Sequence, residues 1–185
     1  MDTVQLLKEA RQGSAAAQKY LFDIWSGKMM LVCVRYLKNE QDAEEVLLDG
    51  FYKFFKNLPG FTYNGEAALH GWLKKIMVNE CLMFLRKKHK ALLFPEENLP
   101  QVPVNAAILM QLDAEALNSL ILQLPMGYRT VFNLYVVEGY DHKEIAAMLN
   151  INENTSRSQL MKAKGKLKAM VEQKNISYEM SHKNF

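Results

Sequence analysis

The chain has 185 residues, of which 49% are hydrophobic and 23% charged, with a formal net charge of +3. That length holds one larger domain or two small ones, and the apolar fraction supplies a real core, which excludes general disorder. The net charge is too small for an indiscriminate polycation, so its placement matters more than its sum.

Charge is segregated along the chain. Residues 71–90 hold six Lys or Arg against one acid, Glu80, whereas residues 39–49 hold five acids and no Lys or Arg. Residues 91–128 hold four acids and again no Lys or Arg. Cationic segments beside separate acidic ones imply a polyanion partner together with a basic protein partner. Cys33 and Cys81 stand alone, without CxxC or a neighbouring His, so they read as reduced core thiols; no metal and no cofactor is expected. The longest apolar run, Met29 to Val34, is far short of a membrane span. Asp2, Lys8, Glu9 and Arg11 interrupt the amino-terminal segment, so no signal peptide or membrane insertion is expected and the location is cytoplasmic.

The first expected helix covers residues 14–37, where Ala17, Tyr20, Leu21, Ile24, Trp25, Met30, Leu31, Val34 and Leu37 recur at helical spacing. Gly27 is expected to break or bend it. Asn39 can cap a second helix reaching about Leu58, with Val46, Leu47, Phe51, Phe54 and Phe55 toward the core. Asp42, Glu45 and Asp49 lie roughly along one face of that helix, and three readings stand. They could hold a divalent metal, although no further carboxylate or His is recognisable. They could complement the helix dipole. Or, with Leu48 beside Asp49, they form a docking surface for a basic protein.

The stretch PGFTYNGE at Pro59–Glu66 is rich in turn residues, and a helix follows from Ala67 to about Lys88. Leu73, Ile76, Met77 and Leu82 form its buried side, while Lys75, Asn79 and Arg86 fall near one other face, accompanied by Trp72 and Lys74. Phe61 and Tyr63 precede it. Rings beside a cationic face are what single-stranded nucleic acid needs, since cations track phosphates and flat groups hold unstacked bases. The competing reading makes Phe61 and Trp72 core residues and the lysines a solvated face.

Pro95, Pro100 and Pro103 within FPEENLPQVPV mark a linker, because each proline removes an amide donor and biases its neighbour to extended backbone. Beyond it, helices are expected at 105–123 and from about Tyr128 to Glu138. DHKEIAAMLNINENTSRSQLMKAKGKLK, from Asp141 to Lys168, then reads as helix, tight turn and basic helix. Asp141 and Glu144 have capping-box spacing; Ile145, Ala146 and Leu149 form an apolar stripe. Asn150 suits a left-handed turn, and Asn152 can cap the second helix. That helix carries Arg157, Lys162, Lys164, Lys166 and Lys168 against only Glu153. A helix-turn-helix places such a helix in the DNA major groove, whereas the bland alternative is a solvated basic face.

The fold class expected is all-α, two small helical domains joined by a flexible proline-containing linker, the second a helix-turn-helix. The divisions fall at 1–90, 91–111 and 112–175, with a tail at 176–185. Walker, GxGxxG and GxSxG signatures are absent, and His70, His89, His142 and His182 are scattered, so an enzyme is not expected.

DAEEVLLDGFYKFFKNLPGF, WLKKIMVNECLMFLRKKHK and LPMGYRTVFNLYVVEGYDHKEIAAMLNINENTSRSQLMKAKGKLK, in that order, resemble an extracytoplasmic-function (ECF) sigma factor of bacterial RNA polymerase, of the sigma-70 family. The resemblance runs from about Ala15 to Val171. It implies a promoter-specificity subunit whose partners are core RNA polymerase and promoter DNA, with an anti-sigma factor as a further partner. By the resemblance, Asp42, Glu45, Leu48, Asp49 and Phe51 contact polymerase. Phe61, Tyr63 and Asn64 in the loop to Glu66, together with Trp72, capture the melted minus-ten element, whose backbone Lys74, Lys75, Asn79 and Arg86 hold. Arg157, Ser158, Gln159, Met161, Lys162 and Lys164 meet the minus-thirty-five element. Within that set Arg157 and Gln159 are shaped to read bases, and Lys162, Lys164 and Lys166 to hold phosphates. Leu48 and Ser156 depart from the family pattern. The alternative reading is a stand-alone helix-turn-helix regulator, which would bind duplex DNA tightly without polymerase.

Overall fold

The structure is a computed structural model that describes residues 2–88 and 114–182, with side chains of the second stretch described from 115 to 173. Every regular element among the described residues is helical, with no strand, as the expected all-α class requires. The described residues form two compact units, divided after Lys88. The expected linker at 91–111 lies outside the described residues, as do His89 and the first part of the helix expected at 105–123.

The first unit opens with a helix absent from the sequence reading, α1 (Thr3–Arg11). Asp2 accepts a hydrogen bond from the Val4 amide at 3.2 Å, and Leu6, Leu7 and Ala10 bury one face against α2 (Ala15–Leu37). Ser14 caps α2 by accepting from the Ala17 amide. Gly27 neither breaks nor ends α2, which is continuous through it. The buried stripe of α2 is Ala17, Leu21, Trp25, Met29, Val32, Cys33, Tyr36 and Leu37. Tyr20, Ile24 and Leu31, expected on that stripe, are exposed, Leu31 by 69%. So many apolar residues lie on α2 that more than one stripe satisfies helical spacing, and only the neighbouring helices select one.

Asn39 caps α3 (Glu40–Asn57) by accepting from the Asp42 amide at 3.0 Å. Val46, Leu47, Phe51 and Phe54 face the core as expected, and Phe55 is half-buried. A 3-10 turn at Leu58–Gly60 and an irregular stretch lead to α4 (Glu66–Lys88), which buries Leu69, Leu73, Met77, Val78, Cys81, Leu82 and Leu85. Helices α3 and α4 run antiparallel. Gly50 is the point of close approach: a Cβ there would lie 2.3 Å from Met77 Sδ. Two ion pairs brace the same helices, Lys53 Nζ to Glu80 Oε2 and Lys88 Nζ to Asp42 Oδ1, both at 2.6 Å. Cys33 and Cys81 are buried free thiols; the hydrogen bond between them, then burial, hold Cys81 well above its ordinary pKa, so it packs as a neutral group.

The second unit holds α5 (Ala114–Ile121), α6 (Met126–Phe132), α7 (His142–Leu149) and α8 (Glu153–His182). Its core comprises Leu120, Leu124, Tyr128, Val131, Phe132, Leu134, Ile145, Leu149, Leu160, Ala163, Leu167 and Val171. Arg129 is only 5% exposed, and its Nη1 donates to the Leu124 carbonyl at 3.1 Å, satisfying an acceptor just beyond α5. Burial lowers its pKa from the usual guanidinium value. The helix expected from Tyr128 to Glu138 is two elements, because the backbone widens into a π-turn at Asn133–Val137 before Gly139 reverses it at φ +81°. Helix α8 continues past the domain boundary expected at 175 to His182, and no Gly or Pro interrupts residues 169–182.

Candidate nucleic-acid interface

The turn between α7 and α8 has the local chemistry its sequence implies. Asp141 Oδ1 accepts from the Glu144 amide at 2.7 Å while Glu144 Oε2 accepts from the Asp141 amide at 2.8 Å, a complete capping box. Asn150 ends α7 in the left-handed region at φ 55° and ψ 49°. Asn152 Oδ1 then accepts from the Thr155 amide at 2.6 Å and from the Thr155 hydroxyl at 2.9 Å. Orphan donors at both helix starts are thus satisfied by side chains, which fixes the turn.

Burial separates the expected contacts on α8. Arg157 is exposed and ion-paired with Glu153, one turn before it. Ser158, Met161, Lys162 and Lys164 are half-buried, and the Ser158 hydroxyl donates to the Thr155 carbonyl at 3.1 Å. Gln159 is different: it is 4% exposed, with Oε1 buried. Gln159 is expected to read bases, but its position on α8 turns it into the core, where Leu160 and Ala163 are also buried, and away from the solvent-facing side. Ser156 is fully buried as well; its Oγ lies 2.9 Å from His142 Nδ1. The His142 ring stacks on Tyr135 at 4.5 Å, and Lys164 Nζ lies 5.9 Å from the Tyr135 ring centroid. Lys166 sits similarly over Tyr128 at 5.7 Å. Both ammonium groups thus lie over aromatic rings, near the outer distance of a cation–π contact.

In the first unit, Phe61 and Trp72 form a parallel stack with ring centroids 4.3 Å apart and 6° between planes. Trp72 in turn meets Phe54 at 5.1 Å, which ties the stack to the core. Phe61, Tyr63 and Trp72 are half-buried and Asn64 is exposed, so neither of the two sequence readings describes the pair completely. The rings are anchored to the core and partly open at once. Lys75, Asn79 and Arg86 are exposed along α4, with Lys74 half-buried beside them.

The acidic face of α3 presents Glu45, Leu48 and Asp49 to solvent, Leu48 at 60% exposure, with Tyr52 exposed beyond them. Asp42 is half-buried and held by Lys88. Phe51, expected both in this set and in the core, is 2% exposed and packs on Phe22 at 4.7 Å between centroids, so it does not lie on the exposed ridge. Its i+3 relation to Leu48 suggests a shared face, but Phe51 points to the other side of the helix seam. A hollow of about 420 Å³ between α2 and α3 is lined by Phe22, Ser26, Gly27, Met30, Glu44, Leu47 and Leu48. Among the described residues no group of three or more His, Cys, Asp or Glu could hold a metal ion.

Both units correspond to recognised family regions. The description Sigma-70 region 2 matches residues 21–91, and Sigma-70, region 4 matches residues 114–167. The chain is 26% identical over 176 residues to the ECF RNA polymerase sigma factor SigW of Bacillus subtilis (strain 168), covering 88% of this chain and 92% of the relative. The chain belongs to the ECF group of the sigma-70 family. It is thereby a sigma factor, a DNA-binding transcription-initiation factor. The RNA polymerase sigma-H factor of Pseudomonas aeruginosa is 24% identical, over 86% of this chain and 89% of that protein. Among solved structures, CnrH in complex with the cytosolic domain of CnrY is 21% identical with a TM-score of 0.48, covering 90% of this chain and 95% of that one. In this sigma factor, region 2 spans α2 to α4 and region 4 spans α5 to the middle of α8. Helix α1 lies outside both. No helix among the described residues is long and apolar enough to cross a membrane.

Two features of the sigma factor escape a sequence reading. Arg11 of α1 donates from Nη2 to the Phe61 carbonyl at 2.5 Å, a contact across 50 positions with no periodic signal. Lys53 and Glu80 also meet across helices, and the lone acid within a cationic segment was the available hint.

Proposed function

We propose that the chain binds core RNA polymerase through the acidic ridge of exposed Glu45, Leu48 and Asp49 with half-buried Asp42 beside them, and directs it to promoters. The second unit reads an upstream duplex element through Arg157, Ser158 and Met161, with Lys162 and Lys164 on phosphates. The first unit holds a melted downstream strand: Phe61, Tyr63, Asn64 and Trp72 meet bases, and Lys74, Lys75, Asn79 and Arg86 track the backbone. The divisions 1–90, 91–111 and 112–175 serve these tasks as polymerase-and-melting domain, linker and upstream-element domain, with 176–185 as a tail. The chain works in the cytoplasm and catalyses nothing itself, since bond formation belongs to the polymerase. An anti-sigma factor holds it inactive by covering the same faces.

The observation that carries this reading is the succession of two sigma regions on two separate units, each with its own cationic surface. Either surface alone is small, so specific binding requires polymerase to present both to one DNA molecule, where the second contact gains from effective concentration. Overproducing the chain and sequencing the induced transcripts yields shared upstream motifs, and those promoters then template run-off transcription. Stimulation over core enzyme alone is expected, and its absence would falsify the proposal. A gel shift showing tight operator binding by the chain without polymerase would instead favour a stand-alone regulator.

A further inference from the structure

Helix α1 lies outside the matched sigma regions, yet it touches the loop that carries the rings described above. Arg11 stands in its last turn, and Nη2 donates to the Phe61 carbonyl at 2.5 Å. The end of α1 is itself fixed, because Gln18 Nε2 of α2 donates to the Ala10 carbonyl at 3.2 Å and Ala10 is buried. On the loop side, Leu58 is fully buried, and the Phe61 amide donates to the Leu58 carbonyl at 3.1 Å. The Phe61 ring is pinned on Trp72. The loop closes at Gly65, whose φ of +96° suits glycine alone.

A continuous chain of contacts therefore runs from α2 through Gln18, Ala10 and Arg11 to Phe61 and Trp72. The carbonyl it reaches would otherwise face water at the middle of an irregular segment. A guanidinium donor there is a charge-assisted bond, stronger than a neutral one, and it sets the peptide plane from which the Phe61 ring projects. Because α4 backs Phe61 through Trp72, the ring's other face is where an unstacked base could continue the Phe54–Trp72–Phe61 series.

We infer that Arg11 is a positioning residue for capture of the melted strand: by holding the Phe61 carbonyl it orients the Phe61–Trp72 stack, so α1 is part of the downstream recognition apparatus. This rests on the function proposed above, and the experiment separates the two. Holoenzyme assembled from the full chain and core polymerase selects DNA from two pools. One contains forked duplexes with a randomised single-stranded segment, and the other contains duplexes randomised upstream.

Arg11→Gln is expected to flatten base preference in the single-stranded segment by about three- to tenfold, the size expected for losing one solvent-exposed hydrogen bond. The upstream preference and the thermal unfolding midpoint should be unchanged. Arg11→Lys, which keeps a cationic donor, should restore part of the preference, and Arg11→Gln should add nothing in a Phe61→Ala background. Intact single-strand preference in Arg11→Gln would overturn the inference while leaving the proposed function standing. Equal loss in both pools with a lowered unfolding midpoint would also overturn it, making α1 a general scaffold. A wild-type holoenzyme without preference in either pool would remove the proposed function and this inference together.

Discussion

His142 Nδ1 lies 2.9 Å from Ser156 Oγ, joining the first turn of α7 to a buried hydroxyl on α8. That bond crosses the helix-turn-helix and helps fix the angle at which α8 is presented. Burial lowers the His142 pKa from 6.5, with Arg157 and Lys164 adding to the shift and Glu153 and Asp141 opposing it. The folded imidazole thus takes up a proton less readily than the unfolded one. Above pH 6.5 both states are neutral and His142 costs nothing; as pH falls below 6.5, the unfolded state gains protons first and stability is lost. Thermal unfolding of wild type and His142→Gln between about pH 5 and 7.5 checks this, since the histidine titrates in that window. The wild type should lose stability more steeply toward acid than the variant.

The Lys53–Glu80 pair predicts an asymmetric mutational response. Glu80 is nearly buried and receives Lys53 Nζ on both carboxylate oxygens, at 2.7 and 2.6 Å. Removing the lysine leaves that carboxylate unpaired, and Lys53→Met should cost about 2 kcal/mol, less than for a fully buried pair because Lys53 is partly solvated. Replacing both partners, Lys53→Met with Glu80→Leu, should recover most of the loss. Urea denaturation gives both values, and equal costs for the single and double variants would contradict the assignment.

On α8, exposure divides the proposed DNA contacts from the core. Arg157→Ala should cost about 1–3 kcal/mol of discrimination at one upstream base pair if the guanidinium makes a bidentate contact. Lys164→Ala should weaken binding to every sequence and flatten the salt dependence by about one ion. Gln159→Leu should leave base preference intact and raise stability by up to about 1 kcal/mol, because it removes a buried oxygen that has no partner. Fluorescence anisotropy of holoenzyme on labelled promoter variants at several salt concentrations distinguishes the three patterns.

The ridge on α3 should behave as a docking surface with an apolar centre. Leu48→Ala should weaken association with core polymerase by about 1 kcal/mol, the scale of one partly buried aliphatic group. Asp49→Lys should slow association and reverse its salt dependence. Phe51→Ala should instead lower the unfolding midpoint, at a cost of about 3–5 kcal/mol typical of a large buried ring. Surface-bound core polymerase titrated with each variant reports the first two effects, and calorimetry the third.

Much of this protein was determined locally, by side chains acting within a few residues of themselves. The caps at Asn39, Asp141 and Asn152, the left-handed Asn150 and the segregation of charge all follow from short-range chemistry, so they were readable in order. The helical class and the helix-turn-helix follow from the same source. Tertiary packing decided what local periodicity left degenerate. On α2 it chose Met29 and Val32 for the core and left Leu31 outside; on α3 and α8 it drew Phe51 and Gln159 inward. Arg11 meeting the Phe61 carbonyl and Lys53 meeting Glu80 also belong to that level. Such contacts join residues far apart in sequence, and their partners are fixed only when whole helices dock and each face finds the surface that excludes water best.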